Sequence, residues 1–237
     1  MGAAYFPSIR NMRYYPVFLD LKDRPCLVVG GGPVAERKAL GLLAAGAKVT
    51  VVGPRVTKAL EGLAREKEIA LRKRAYRPGD SKGRFLIVAA TASREVNEAV
   101  QRDAKLFGCL LNVVDDPARS NFIVPSVVRR GALTIAISTS GKSPYLARVL
   151  REEFEGRIGA EYEAFIEILG AARKKLLKTG LSRDKKERII KALVKSPIPV
   201  LLKERRVREV NQVLRDTLGE GYTLSKLGVR LKGEGRG

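Results

Sequence analysis

The sequence predicts an α/β fold of the Rossmann type, in which a parallel sheet is followed by a small β-containing region and a helical C-terminal domain. From residue 24 onward, short apolar stretches typical of buried parallel strands alternate with stretches of helical apolar spacing. A glycine-rich stretch, GGGPVA at 30–35, separates the first strand from the first helix. This is the position of the phosphate-binding turn in dinucleotide-binding folds.

The strands and helices of the sheet region can be placed from residue patterns. Strands are expected at 26–30, 48–53, 69–76, 84–91 and 109–116, the third of them exposed near the sheet edge. Helices are expected at 33–46, with Pro33 in the first turn, and at 93–108, with Ser93 as the N-cap.

The pattern changes after residue 116. Residues 120–141 are rich in β-forming residues with a turn at 129–131, and a helix follows at 143–158, with Ser143 as N-cap and Pro144 at its first position. Further helices follow, and the tail at 231–237 is expected to be disordered. We therefore expect three domains, at 1–116, 117–155 and 156–237.

Composition excludes several kinds of protein. No apolar run approaches the roughly 20 residues that span a bilayer, and the N-terminus lacks the apolar core of a signal peptide, so we expect a cytoplasmic protein without membrane contact. The chain has no histidine, which excludes His-ligated metals and histidine acid/base chemistry, and we expect no metal site. Cys26 and Cys109 lie in apolar stretches and are expected to be buried thiols.

The net charge of +21 is concentrated towards the C-terminus, where residues 171–237 hold 19 Lys and Arg against 7 Asp and Glu. Such a surplus attracts nucleic acid, anionic lipid or a polycarboxylate metabolite, and it is also compatible with a solvated basic helical surface. Aromatic residues form only 6% of the chain, which gives little support for base stacking and disfavours a nucleic-acid partner.

The glycine-rich stretch meets the physical demands of a dinucleotide site. Gly30 allows the tight turn, Gly32 lets the backbone approach a pyrophosphate, and Ala35 permits close packing of helix on strand. The end of the second strand carries Arg55 and no acidic residue, so NAD and NADP both remain open at this position. Thr91 ends a small-residue loop, AAT at 89–91, over which the cofactor can lie.

The end of the fifth strand carries Asn112, Asp115 and Asp116, close to where the nicotinamide is expected. A carboxylate there can transfer a proton or hold a cation, and capping of the following turn is an equally good interpretation. Because neighbouring residues of a strand point to opposite faces, at most one aspartate is expected to face the cofactor. The stretch STSGKSP at 138–144 offers hydroxyls, a lysine and backbone amides for binding a carboxylate, or simply a helix cap.

Four segments of the chain together resemble the siroheme synthase family in its precorrin-2 dehydrogenase module. They are YYPVFLDLKDRPCLVVGGGPVAERKALGLLAAGAKVTVVGP, LIVAATASREVN, LLNVVDDPARSNFIVPS and AISTSGKSPYLARVLREEFE. The resemblance covers about residues 14 to 155 and is far more specific than the glycine turn. It implies NAD-dependent oxidation of precorrin-2 to sirohydrochlorin by a homodimer that dimerises through 117–155. Some members also insert Fe²⁺ into the product, and the resemblance leaves that activity open here.

The resemblance also implies roles for particular residues. Asp115 corresponds to the catalytic aspartate of the family. The expected NAD contacts, in addition to Gly30, Gly32 and Thr91, are Pro33, Val34, Pro54 and Arg55. The expected substrate contacts are Asn121, Ser126, Ser138, Thr139, Ser140, Gly141 and Arg148, with Thr139 in place of a serine found in some relatives. An alternative from another class is an NAD-sensing regulatory module that acts through the basic helices.

Overall fold

A computed structural model describes residues 13–231 of the chain. The expectations made for the extreme N-terminus and for residues 232–237 of the tail lie outside the described residues. The chain divides into two compact units, Met1–Val124 and Pro125–Gly237, called the first and second unit below. The sequence-based division into three domains stays a prediction. In the part of the chain that the structure describes, no helix is both long and apolar enough to cross a membrane.

The first unit is built on a five-stranded parallel sheet in the order β3-β2-β1-β4-β5, which matches the first five positions of the doubly wound order 3-2-1-4-5-6. Its strands are β1 (Pro25–Val29), β2 (Lys48–Val52), β3 (Ile69–Arg72), β4 (Leu86–Ala89) and β5 (Leu110–Val113). The predicted Rossmann-type sheet is confirmed, with β3 at its edge. Each strand ends one to four residues before the predicted position.

Three helices accompany the sheet: α1 (Pro33–Leu43), α2 (Lys58–Arg65) and α3 (Arg94–Phe107). The Oγ atom of Ser93 accepts a hydrogen bond from the Val96 N–H, which confirms the predicted cap of α3. The helix α2 was not predicted, because it is only 8 residues long and contains Gly62, a residue of low helix propensity.

The sheet separates two apolar clusters, as the alternation of side chains along a strand requires. Cys26 and Val28 of β1 pack in one cluster with residues of α1 and α2, whereas Leu27 and Val29 pack in the other with residues of α3. Both cysteines are buried free thiols, as expected. Burial raises the pKa of the Cys26 thiol to about 11, so this thiol stays protonated at neutral pH.

The connection from β3 to β4 contains no helix, and a polar network holds it instead. The buried carboxylate of Asp80 pairs with Arg72 and Arg74, each at 2.7 Å. The hydroxyl of Tyr76 donates to Asp103 Oδ2 at 2.6 Å. The hydrogen bond from Arg74 holds the pKa of Asp80 at about 2. The third strand therefore ends at Arg72 rather than at residue 76, because the residues after it belong to this network.

The second unit begins with an antiparallel hairpin, β6 (Ser126–Arg130) and β7 (Leu133–Ile137), followed by α4 (Pro144–Arg157). The turn occupies residues 131–132 rather than the predicted 129–131, since Arg129 and Arg130 belong to β6, and Gly131 has a φ of +57°. The predicted cap is confirmed, since Ser143 Oγ accepts from the Leu146 N–H.

Five further helices form the remainder of the described second unit: α5 (Glu161–Leu177), α6 (Arg183–Val194), α7 (Ile198–Lys203), α8 (Val207–Leu218) and α9 (Leu224–Leu227). Their apolar residues build one core of their own, which includes the fully buried Ile168, Leu193, Ile198 and Leu214. The predicted helical C-terminal region is thus confirmed.

Candidate functional site

The turn after β1 requires glycine at its first two positions, Gly30 and Gly31. Gly30 has a φ of +122°, and a Cβ atom added there would lie 2.3 Å from the carbonyl oxygen of Ala90. A Cβ atom at Gly31 would lie 2.1 Å from the carbonyl oxygen of Arg55. Both distances are far below van der Waals contact, so the turn brings the backbones of three strand ends together. The fingerprint G-x-G-x-x-A allows any residue at the position of Gly31, so it does not predict that this position also requires glycine.

The N-terminus of α1 is open towards solvent. Gly32 is its N-cap, no side chain caps the helix, and Pro33 occupies the first turn. A Cβ atom at Gly32 would meet nothing within 4 Å, so the space beside this residue is free for a ligand. Unpaired N–H groups and the helix dipole favour an anion at such a point. The turn therefore fits a dinucleotide pyrophosphate, with Pro33 and the half-buried Val34 beside it.

The loop after β2 lies against the glycine turn. The Thr57 N–H donates to the carbonyl oxygen of Gly31 at 3.0 Å, and the Gly30 N–H donates to that of Val52 at 2.8 Å. Pro54 and Arg55 follow with exposed side chains. The position that often carries a ribose-binding acid thus presents a guanidinium to solvent.

The loop after β4 is held by its own side chains. Thr91 Oγ1 accepts from the Ser93 N–H at 3.2 Å, and Asn97 Nδ2 donates to the Thr91 carbonyl oxygen at 3.1 Å. The Asn97 Oδ1 atom is buried and has no hydrogen-bond partner among residues 13–231. Asn97 was missed by the sequence analysis, although its position in the first turns of the helix after a predicted cofactor loop is a usable signal.

The two aspartates after β5 do not lie on a strand, which corrects the expectation that they point to opposite faces of one. The strand ends at Val113, and the Asp116 N–H donates to the Val113 carbonyl oxygen at 3.1 Å to close a turn. Asp115 occupies this turn with a φ of +61°, a left-handed conformation that aspartate adopts more readily than most residues.

The turn gives the two carboxylates different surroundings. Asp116 is ion-paired with Arg119 and accepts its backbone N–H at 3.1 Å, and this pairing lowers the pKa of Asp116. Asp115 is exposed at the edge of the sheet where the glycine turn also lies. Burial lowers the pKa of Lys38, on α1, while the negative charge of Asp115 opposes that shift, so the two charges are close enough to interact. Asp116 therefore takes the capping role, and Asp115 is the carboxylate available for chemistry.

Asn121 is bound to the backbone of the edge strand β5. Its Oδ1 atom accepts from the Leu111 N–H at 2.7 Å, and its Nδ2 atom donates to the Cys109 carbonyl oxygen at 3.0 Å. The Asn121 side chain thus forms hydrogen bonds with β5 that a neighbouring strand would otherwise form. Its role in substrate binding stays a prediction, and the structure gives it a structural role.

In the second unit, the loop between β7 and α4 uses its hydroxyls and amides internally. Ser138 Oγ accepts from the Ser140 N–H and Thr139 Oγ1 from the Ser143 N–H, both at 3.0 Å. The Lys142 N–H donates to the Thr139 carbonyl oxygen at 3.0 Å. Three of the loop amides are therefore occupied, and the exposed polar side chains of the loop are those of Ser138, Ser140 and Lys142.

The other predicted substrate contacts of the second unit lie on regular elements. Ser126 is the first residue of β6 and is half-buried. Arg148 lies on the exposed side of α4, where its Nε atom donates to Glu152 at 2.9 Å. Gly141 has a φ of +82°, which suits glycine. Over the described ranges of both units, no group of three or more His, Cys, Asp or Glu residues could hold a metal ion.

Two protein-family models match the chain. Residues 17–126 match the family described as "Putative NAD(P)-binding", and residues 130–157 match the one described as "Sirohaem biosynthesis protein central". The first match covers the whole parallel sheet, and the second covers β7 and α4.

Curated relatives of the chain are siroheme synthases. Siroheme synthase 1 of Aeromonas salmonicida is 46% identical over 162 residues, which are 68% of this chain and 35% of the relative. The siroheme synthase of Mannheimia succiniciproducens is 35% identical over 211 residues, which are 89% of this chain and 44% of the relative. The chain thus spans less than half the length of these curated relatives.

A solved structure extends the likeness over most of the chain. The protein described as SirC, precorrin-2 dehydrogenase, superposes with a TM-score of 0.71 at 29% sequence identity. The match covers 84% of this chain and 98% of that one, so it includes helices beyond the two family matches.

Proposed function

Through residues 17–126 and 130–157 the chain belongs to the siroheme synthase family, and on this premise we propose that it oxidises precorrin-2 to sirohydrochlorin with NAD as the acceptor. The observation that carries the proposal is the meeting of the glycine turn and Asp115 at one edge of the parallel sheet. In parallel α/β sheets, this edge is where ligands bind and react.

Residues of the first unit would hold the cofactor. The pyrophosphate fits the open N-terminus of α1, beside Gly30, Gly32, Pro33 and Val34. Pro54 and Arg55 lie where the adenosine ribose would approach, and Thr91 lies in the loop after β4. When bound, NAD supplies the acceptor for the hydride that leaves the substrate.

The carboxylate of Asp115 accepts the proton that the macrocycle loses with the hydride. It is exposed and held by a turn, and unlike Asp116 it forms no ion pair with residues 13–231. A positioned base of this kind contributes roughly 10²–10⁴-fold to a rate. The remaining contribution of the protein is to hold the reacting groups in place.

The substrate carries carboxylates, which suits the basic character of the chain. Substrate contacts are proposed for one set of residues: Asn121, Ser126, Ser138, Thr139, Ser140, Gly141 and Arg148. Asn121 is the weakest member of this set because its side-chain amide is already bonded to the backbone of β5.

A homodimer in the cytoplasm completes the proposal. Tyr145, Leu146 and Val149 form an apolar patch on α4, with exposed fractions of 77%, 47% and 40%. Because α4 lies within the match to the central family, a second copy of the chain is the partner that this patch fits. Sedimentation equilibrium of the wild type and of Tyr145→Glu would test it, with a monomeric wild type contradicting the dimer.

Formation of NADH from anaerobically prepared precorrin-2 tests the reaction, with NADP as the competing cofactor. NADH formation with NAD supports the proposal. NAD binding without turnover would instead support the regulatory alternative, which no observation favours at present. Incubation of sirohydrochlorin with Fe²⁺, with and without protein, decides whether iron insertion follows, since equal rates would exclude it.

A further inference from the structure

The second unit contains a cavity of about 980 Å³ along the side of α5. Its other walls are the junction of α7 with α8 and the segment 227–231 that follows α9. We call it the α5 cavity. All of its lining residues belong to the second unit. Its volume lies at the upper end of the range typical of small-molecule sites.

Part of the lining of the α5 cavity is apolar. Gly170 and Ala171 of α5 form its floor with minimal side chains, and a Cβ atom at Gly170 would meet nothing within 4 Å. Leu202, Val207 and Val229 contribute apolar walls. A flat apolar group can therefore approach the helix backbone closely.

Four of the cations that line the α5 cavity have no ion-pair partner in the described part of the chain. Lys174, Lys203, Arg205 and Arg230 line it, and none of them forms an ion pair with any residue between 13 and 231. By contrast, the neighbouring Arg206 pairs with Glu204 and Glu209 at 2.7 and 2.5 Å.

Three glutamates also line the α5 cavity: Glu161, Glu163 and Glu167, all in the first half of α5. These carboxylates repel the anionic groups of a ligand and the cations attract them, so we expect such groups to lie at the cations.

Arg205 occupies a backbone position that favours glycine. Its φ is +57°, and it follows the C-cap of α7, where the Arg206 N–H donates to Leu201 and the Arg205 N–H to Leu202. This is the αL position at which helices usually end in glycine. The chain accepts the strain of a side chain there, and that side chain lines the cavity.

We propose that the α5 cavity binds an apolar ring that carries carboxylates, with the ring over Gly170 and Ala171 and the carboxylates at Lys174, Lys203, Arg205 and Arg230. Its identification with the tetrapyrrole rests on the function proposed above. The three glutamates of the lining oppose a nucleic-acid backbone, which would bring phosphates along the whole length of the cavity.

Binding of uroporphyrin, a stable fluorescent porphyrin polycarboxylate, to the full chain tests this inference without NAD. We expect Lys174→Gln and Arg205→Gly each to weaken binding roughly fivefold, the effect of losing one partly exposed charged contact. Arg205→Gly should also raise the melting temperature, because it removes the αL strain.

Two matched controls separate the cavity from general charge. Lys195→Gln removes a lysine from the end of α6, outside the cavity, and Lys67→Gly relieves the same kind of αL strain in the first unit. Both should leave uroporphyrin binding within about twofold of wild type. Equal weakening by the controls, no weakening by the cavity variants, or displacement of uroporphyrin by an equal concentration of inorganic phosphate would overturn the inference.

The outcome is independent of the proposed oxidation, which NADH formation measures. Cavity-dependent uroporphyrin binding in a protein that forms no NADH would contradict the oxidation and support the cavity as a carboxylate site. NADH formation with cavity-independent uroporphyrin binding would contradict the cavity and leave the oxidation supported.

Discussion

The two units build their candidate sites from different material. In the first unit, the nucleotide site consists of backbone, with glycines that fit only because they lack side chains. In the second unit, the α5 cavity consists of long charged side chains around a small apolar floor. The glycine turn tolerates almost no side chain at Gly30 and Gly31. In the α5 cavity, by contrast, each substitution of a cation should lower the affinity by the contribution of one contact. Substitutions at the glycine turn and at single charged side chains should therefore differ in their effects on stability and activity.

Asp115→Asn should lower turnover by at least about 100-fold while NAD binding is retained. Asparagine also adopts the left-handed conformation that this turn requires, so the loss would report the carboxylate rather than the fold. Steady-state NADH formation and NAD titration by fluorescence provide the two measurements. Turnover within tenfold of wild type would remove Asp115 from the proton transfer.

Gly31→Ala should lower the free energy of unfolding by about 3 kcal/mol, because its Cβ atom would overlap the Arg55 carbonyl oxygen. Gly32→Ala is the matched control, since its Cβ atom meets open space. The control should keep wild-type stability within about 0.5 kcal/mol in urea unfolding, and it should weaken NAD binding. Equal stability of the two variants would contradict the packing described for the turn.

Protonation of Asp80 at acid pH should lower the free energy of unfolding by about 2 kcal/mol. Its pKa in the folded protein is about 2, below the ordinary value of 3.8. A lowered carboxyl pKa stabilises the folded state fully above pH 3.8, and this stabilisation is lost as the pH falls towards 2. Urea unfolding at several pH values should therefore show a smaller acid dependence in Asp80→Asn, whereas a dependence equal to that of wild type would refute the assignment.

Lys67→Gly should raise the free energy of unfolding by about 0.5–1 kcal/mol. Lys67 follows the C-cap of α2 with a φ of +61°, a position where glycine has no steric strain. Lys58→Gly, in the first turn of α2, provides the opposite control and should lower stability. Thermal unfolding that shows a loss for both variants would contradict the strain at residue 67.

The sheet region was predictable because its signals are local. The apolar stretches, Pro33, Ser93 and the glycine turn each identify an element by its own residues, and the structure places all of them as expected. The aspartates were the exception. The sequence pattern predicted that Asp115 and Asp116 lie on a strand. In the structure the strand ends at Val113, whose N–H donates to Ser120 Oγ at 2.9 Å instead of to a neighbouring strand.

The second unit was less predictable because its site depends on packing. Helical character could be predicted from apolar spacing, but the α5 cavity joins Gly170 to Arg205 and Arg230, which are far apart in sequence. The excess of Lys and Arg is visible in the sequence. Which of these cations form ion pairs, as Arg206 does with Glu209, cannot be read from the sequence. The role of Asn121 also required coordinates, since its bonds to β5 are invisible in the residue pattern.

We propose that the glycine turn and the carboxylate of Asp115 together carry out an oxidation at the sheet edge. The decisive experiment is anaerobic incubation of the wild-type chain with precorrin-2 and excess NAD, followed at the absorbance of NADH. We expect NADH to form in equal amount to the precorrin-2 consumed, and Asp115→Asn to form it at least about 100-fold more slowly. NAD binding without any NADH formation by the wild type would contradict it.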